Sequence, residues 1–339
     1  MSAQLAETAE DVSRIAFGFM ASKALFAGLH IGVFTNLAEG PKTATQVAKE
    51  TDVPVNRVTT LLTALTGIGL VDREEETYAN SPGAEAFLVH GAKYDFGDYL
   101  RYQIDGQMYP FLDQLNDVVD GSLDPNAVDS YQHWMADPEE AALYSNAQHA
   151  GSLGPGRTLA RLVDLSGAKN LLDIGGGTGA MSIRLLEANP DLVATIIDFP
   201  NVAEIGWRFV TEAGMVDRVR YIPANALQTE WPTGQDAILM SYLFSGVPGT
   251  EVPRLVKDAF DCLAPGGHYM VHDFMVEDDR SGPPMAALWQ LQHMAFTPEA
   301  RSVTPGWLKG QMEEVGFTDI REEEMIPGLT RLLHARKPG

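Results

Sequence analysis

The sequence predicts an α/β protein in which a seven-stranded, mostly parallel sheet with helices on both faces follows a mainly helical, winged-helix domain. Three stretches carry that expectation. Residues 171–180, LLDIGGGTGA, are an apolar run closing on an acid and a glycine cluster, and MSIRLLEANP behind them is amphipathic; this is the order strand, tight turn, helix. Residues 192–197 form a β-branched run ending at Asp198, which completes a βαβ unit. Residues 43–81 read as two helices joined by a turn and followed by a charged hairpin.

In such sheets ligands sit at the C-terminal ends of the strands. Glycines there let the backbone approach a ligand with no Cβ in the way, and an acid ending the next strand can accept both ribose hydroxyls. The unit therefore reads as a nucleoside site built on Gly175, Gly177 and Asp198. Gly175, Gly177 and Ala180 also satisfy G-x-G-x-x-G/A, so a nicotinamide dinucleotide competes on this fragment. Asp173, two residues before the first glycine, suits a cationic ligand better than a pyrophosphate. In YIPANAL, residues 221–227, a third strand would end at Asn225, whose amide offers a donor and an acceptor to an adenine edge. Read plainly, Asp173 caps a turn and Asn225 only ends a strand.

At 339 residues the chain has room for two sizeable cores. Asp and Glu outnumber Lys and Arg by 46 to 24, a formal net charge of -22. Such a surface repels nucleic acid and anionic lipid. The single cysteine, Cys262, rules out an internal disulfide and a thiolate zinc cluster, and its setting reads as a buried helix end. The acidic start lacks the features of a secretory signal, so a cytoplasmic location is expected. Residues 15–34 are apolar but interrupted by Lys23, His30 and glycines; they are read as a pair of buried helices and not as a membrane span.

A winged helix raises DNA binding as a rival function. The charges oppose it, because the presumed recognition helix offers only Arg57 and the wing carries three consecutive glutamates. Residues 85–152 hold the most unusual polar content. Arg101, Gln103, Gln107 and Tyr109 crowd one short segment, and Tyr144 and Gln148 fall at i and i+4 on one helix face with His149 beside them. A guanidinium fork near tyrosine and glutamine suits a small carboxylate; as a mere surface residue Arg101 would pair with Asp98 or Asp105. Residues 236–245 read as a fourth strand, 251–263 as the next helix, PGGHYMVHDFM as a turn and fifth strand, 305–315 as a helix, and 319–324 with 329–335 as a closing antiparallel pair. His268 and His272 face one way along the fifth strand, but no carboxylate or thiolate joins them, so no metal site is expected.

DIGGGTG, IIDFPNV, the AN pair, DAILMSYL and LAPGGHYMVHDF, in this order, resemble the S-adenosylmethionine-dependent small-molecule O-methyltransferases related to the plant caffeate-type enzymes. The resemblance implies a Rossmann-like methyltransferase domain at 156–339, a winged-helix-like dimerisation domain at 1–95, and between them, at 96–155, a helical linker bearing part of the substrate pocket. It implies S-adenosyl-L-methionine as cofactor and a homodimer through the N-terminal helices. By position, Ser152, Asp173, Gly175, Gly177, Asp198, Phe199, Asn225, Ala226 and Ser241 would surround the cofactor.

One departure matters for the chemistry. The O-methylating members resembled place a His-Asp pair after the fourth strand as base, with two glutamates orienting it; here those positions hold Ser245 and Gly246, and Asp273 and Ser302. A general base is worth roughly 10²- to 10⁴-fold, or about 3 to 5 kcal/mol. A thioether sulfur has no proton to lose and needs no base. The missing base, the polar pocket and the acidic composition resemble the methylthiohydroxybutyrate S-methyltransferases of bacterial dimethylsulfoniopropionate synthesis, on the stretches IAFGFMASKALFAGLHIG, FGDYLRYQIDGQMYP, NAQHAGSLGPG and HDFM. That implies a small carboxylated thioether as substrate. Arg101, Gln103 and Gln107 would hold its polar groups, Tyr144, Gln148 and His149 would position it, and Tyr242, Trp289, His293 and Phe296 would close the pocket. The alternatives are an O-methyltransferase using His149, His272 or His293 as base, a dehydrogenase, and a binding protein without turnover.

Overall fold

The computed structural model describes residues 5–123 and 131–339. The chain forms two units, one running to Tyr109 and the other from Pro110 onward.

The N-terminal unit starts with helices Ala9–Ala16 and Gly18–His30, the first opened by a reciprocal capping box between Thr8 and Asp11. Val33–Leu37, strand β1 (Lys42–Thr43), helices Ala44–Thr51 and Val55–Gly67, and the hairpin β2 (Val71–Glu74) and β3 (Thr77–Asn80) complete the winged-helix pattern, in the sheet order β1-β3-β2. Its core gathers Val33, Phe34, Leu37, Val47, Val58, Leu62, Leu65, Val71 and Tyr78. A π-helical stretch, Tyr99–Met108, closes the unit. The expected boundary at residue 95 is thereby corrected: Leu100 packs against the N-terminal core, so this stretch is no linker. A second expectation holds only in part. Phe26, Leu29, Val33 and Phe34 are buried, whereas Val12, Ile15, Phe17, Phe19 and Met20 are all at least half exposed.

In the second unit, β4 (Asn170–Ile174), β5 (Val193–Asp198), β6 (Val219–Pro223), β7 (Gln235–Ser241), β8 (Leu263–Phe274), β9 (Thr318–Ile326) and β10 (Thr330–Arg336) make one sheet in the order β6-β5-β4-β7-β8-β10-β9. β4 to β8 run parallel, and β10 is antiparallel to both its neighbours. Side chains alternate between two cores. Leu172, Ile174, Ile238 and Met240 meet helices Val252–Cys262 and Pro305–Val315, whereas Leu171, Ala237 and Leu239 meet the other face with Leu159, Ile183, Leu186 and Val210. Cys262 ends its helix and is buried, as expected.

Helix Pro138–Leu162 runs through the expected boundary at 155. A Cβ at Gly156 would touch the Arg184 side chain at 3.0 Å, so the helix lies close against Ala180–Ala188 and belongs to this unit. The outer strand β9 carries exposed Glu322, Glu323 and Glu324, charges that guard a sheet edge against further pairing.

Candidate active site

The glycine turn after β4 is shaped by its own backbone. Gly175, Gly177 and Gly179 have φ of 65°, 59° and 77°, a region costly for residues with a Cβ. At Gly177 a Cβ would meet no protein atom, so the turn keeps an open side. Asp198, ending β5, accepts from the Gly177 N–H at 2.7 Å through one carboxylate oxygen and from the Phe199 N–H at 2.7 Å through the other. Each oxygen keeps lone-pair capacity for a ribose hydroxyl. Burial raises the Asp198 carboxyl to about 6, against the pull of these two N–H groups.

Asp173 lies under the turn, accepts from the Ser182 hydroxyl at 2.6 Å, and has an Oδ1 with no hydrogen-bond partner. Burial raises it to about 7. Gly176 is small because a Cβ would strike this carboxylate. Tyr221 in β6 donates its hydroxyl to the Gly177 carbonyl at 3.1 Å, and Gly206 leaves room for that phenol.

Asn225 needs correction. β6 ends at Pro223, and the Asn225 amide serves the turn beyond it, accepting from Leu227 N–H at 2.9 Å and donating to Gln132 Oε1 at 3.0 Å. Ala226 is buried, and its carbonyl accepts from Trp231 Nε1 at 2.8 Å. Ser241 ends β7, within 2.9 Å of His272 Nδ1, and Thr330 Oγ1 holds His272 Nε2 at 2.9 Å. Burial lowers His272 to about 3, so it stays neutral. It is no candidate base, because both nitrogens are engaged. His268 has separate company, stacked on His334 and hydrogen-bonded to it at 2.9 Å.

Two of the aromatic groups in this unit hold the expected pocket residues. Tyr242, at φ 57°, packs with Phe274 at 5.0 Å; Phe274 in turn stacks on Trp289 at 4.7 Å and meets His293 at 5.4 Å. His293 is buried with neither ring nitrogen hydrogen-bonded, and burial lowers it to about 4. The second group joins Phe296 to Phe111, Tyr131 and Trp134 at 4.2 to 5.3 Å, with Tyr144 at 5.0 Å from Trp134. Gln148 donates to the Tyr144 hydroxyl at 3.2 Å. Burial raises that phenol to about 12, and the Asp198 charge adds to the effect.

His149 meets the glycine turn. Its Nδ1 lies 2.8 Å from Thr178 Oγ1, and its ring stacks on Phe209 at 3.6 Å. Ser152, three residues on, is half-buried on the same helix.

The absence of a base after β7 has a structural counterpart. Ser245 is fully buried and gives its hydroxyl to Asp273 at 2.6 Å and its N–H at 3.1 Å. Asp273 also accepts from the Phe274 N–H at 2.8 Å, and burial raises it to about 6. Ser302 is half-buried. In the N-terminal unit, Arg101 Nη2 donates to Asp98 at 2.5 Å and the guanidinium lies 4.3 Å over Tyr102, while its buried Nε has no hydrogen-bond partner among the described residues. Gln103 and Gln107 are buried, and Gln103 Oε1 has no hydrogen-bond partner among the described residues. Thr178, Phe209, Tyr221, Phe111, Tyr131, Trp134 and Phe274 were not anticipated; Thr178 alone carried a signal, as the one side chain inside GGGTG.

Residues 124–318 match the O-methyltransferase domain family and residues 13–90 the O-methyltransferase dimerisation domain family. The chain therefore belongs to the S-adenosylmethionine-dependent O-methyltransferase family, and the dimerisation domain supports a homodimer. It is 27% identical over 312 residues to a 3-hydroxy-5-methyl-1-naphthoate 3-O-methyltransferase of Streptomyces sahachiroi, covering 91% of this chain and 89% of that one. It is 26% identical over 325 residues to an N,N-dimethyltransferase of Streptomyces rimosus, covering 95% and 94%. Human N-acetylserotonin methyltransferase, solved with S-adenosylmethionine, shares the fold at a TM-score of 0.86 and 21% identity over the whole of both chains.

Most of the exposed apolar face of the first two helices falls within the dimerisation match, and residues 9–30 are also long and apolar enough to cross a membrane. The turn fits the cofactor, with its open side at Gly177, a ribose acceptor at Asp198 and a buried, unpartnered Asp173 oxygen.

Proposed function

We propose that the enzyme methylates the sulfur of a small carboxylated thioether, with 4-methylthio-2-hydroxybutyrate to 4-dimethylsulfonio-2-hydroxybutyrate as the reaction to test first. The Ser245–Asp273 pair carries the reading: the place where the O-methylating enzymes resembled keep a base is filled by two buried side chains that satisfy each other. The relatives named above act on oxygen and on nitrogen, so family membership leaves the acceptor atom open. When bound, S-adenosylmethionine supplies an electrophilic sulfonium methyl that a thioether lone pair can take directly.

The protein's part is then alignment and exclusion of water, which can be worth about 7 to 11 kcal/mol. The product is a cation. Aromatic faces such as those of Tyr144 and Trp134, or Tyr242 and Trp289, stabilise a cation without a counter-charge. Gln148 and His293 offer N–H groups to the acceptor's hydroxyl or carboxylate oxygens.

A second reading, O-methylation, is favoured by one observation. His293 has two ring nitrogens without partners and stays neutral, as a relocated base would. The experiment is a mass-spectrometric methyl-transfer assay offering the thioether hydroxy acid, methionine and a catechol together. Product from the hydroxy acid alone supports thioether chemistry; methylated catechol with an untouched thioether sinks it.

A further inference from the structure

We infer that His149 is a positioning residue for cofactor binding that acts through Thr178, holding the glycine turn by its one side chain. Of residues 175–179, only Thr178 has a side chain; the other four are glycine. Such a segment loses much conformational freedom when it is fixed. Two anchors hold its backbone, Asp198 on the Gly177 N–H and the Tyr221 hydroxyl on the Gly177 carbonyl. The one available side chain is held by His149 Nδ1 at 2.8 Å, and Thr178 is only 4% exposed.

The imidazole is itself fixed. It lies nearly parallel to Phe209, 10° between planes, and Phe209 belongs to helix Pro200–Glu212, which Asp198 and Phe199 introduce. Arg208 lies 4.6 Å from the Phe209 ring centroid and is hydrogen-bonded to Asn146, on the same helix as His149. The contact thus ties helix Pro138–Leu162, helix Pro200–Glu212 and the turn at one point. A turn already held in its bound form binds without the cost of being ordered.

Neither partner need touch the cofactor, so the test reads binding and turn mobility and not turnover alone. Affinity for S-adenosylhomocysteine is measured by calorimetry for Thr178→Val, Thr178→Ser, His149→Phe, His149→Asn and the Thr178→Val/His149→Phe double variant. Losing the bond should weaken binding roughly three- to tenfold in T178V and H149F, the worth of one ordinary hydrogen bond. T178S and H149N, which keep a hydrogen-bonding group, should recover most of it, and the double variant should bind no worse than either single one.

Amides of residues 176–179 should exchange faster in T178V, with the acceptor KM unchanged. Wild-type affinity in T178V and H149F, strictly additive losses, or a shift in acceptor KM in place of cofactor affinity would each overturn the assignment. Should H149F fold poorly, T178V against T178S decides the matter.

Discussion

Ser245 and Asp273 form a hydrogen bond of 2.6 Å with neither residue exposed, 28 positions apart in sequence and joined across the ends of β7 and β8. The bond makes the end of the fourth parallel strand a structural joint where the O-methylating enzymes resembled keep a reactive group. Its consequence is measurable. Ser245→Ala should destabilise the protein by about 1 to 3 kcal/mol in urea unfolding, since a buried carboxylate loses a donor. Methyl transfer per folded molecule should stay within about threefold; a hundredfold loss would make Ser245 part of the chemistry.

With no proton to remove, methyl transfer to a thioether should run at nearly equal rates in H2O and D2O, and kcat with both substrates saturating should be level between pH 6.5 and 9. A solvent isotope effect of two or more on the methyl-transfer step would favour the relocated-base reading.

His293→Phe removes two unpartnered buried nitrogens while keeping a ring between Phe274 and Trp289, so stability should be unchanged or higher by about 1 kcal/mol. If His293 reads the acceptor's hydroxyl, KM for the hydroxy acid should rise about tenfold, with no rise for the thioether acid lacking that hydroxyl. Equal rises for both would remove the assignment.

Burial moves two sets of groups in opposite senses. Asp173 rises to about 7, and Asp198 and Asp273 to about 6; stability from these is complete below the unfolded carboxyl value and is lost as pH climbs through 6 to 7. His149, His268, His293 and His334 fall to about 4 and His272 to about 3; stability from these is present above about 6.5 and is lost as pH falls toward 4. The histidines outnumber the carboxyls. The cofactor-free protein should therefore melt lower at pH 4.5 than at 6.5, and Asp173→Asn should be at least as stable as the parent above pH 7. A midpoint that climbs on acidification would contradict the balance.

Ile15 and Phe19 expose half or more of their surface on the opening helices, inside the matched dimerisation domain. Ile15→Asp with Phe19→Asp should convert the homodimer to monomer in sedimentation velocity, at unchanged far-UV dichroism. A variant that still sediments as a dimer would place the interface elsewhere.

Much of the architecture was legible because it is written locally. The apolar runs, the glycine cluster and the acid ending β5 lie close together in the chain, so strand, turn and the acid at the strand end could be read from one βαβ unit. What escaped depends on distance along the chain: His149 meets Thr178 across 29 positions, and Asn225 meets Gln132 across 93. Phe111, Tyr131, Trp134 and Phe296 converge from separate segments with no shared period. Arg101 illustrates the local case, since the pairing with Asp98, three residues away, was one of the two readings open in the sequence. The opening helices looked buried because hydropathy does not say which chain does the burying.

The glutamates of β9 bear on how many chains can associate. A strand edge offers unpaired backbone groups, and two identical edges brought together would set Glu322, Glu323 and Glu324 against their own copies. Like charges at that spacing repel, on a chain whose net charge is already -22. Growth by joining sheets through this edge is thereby opposed.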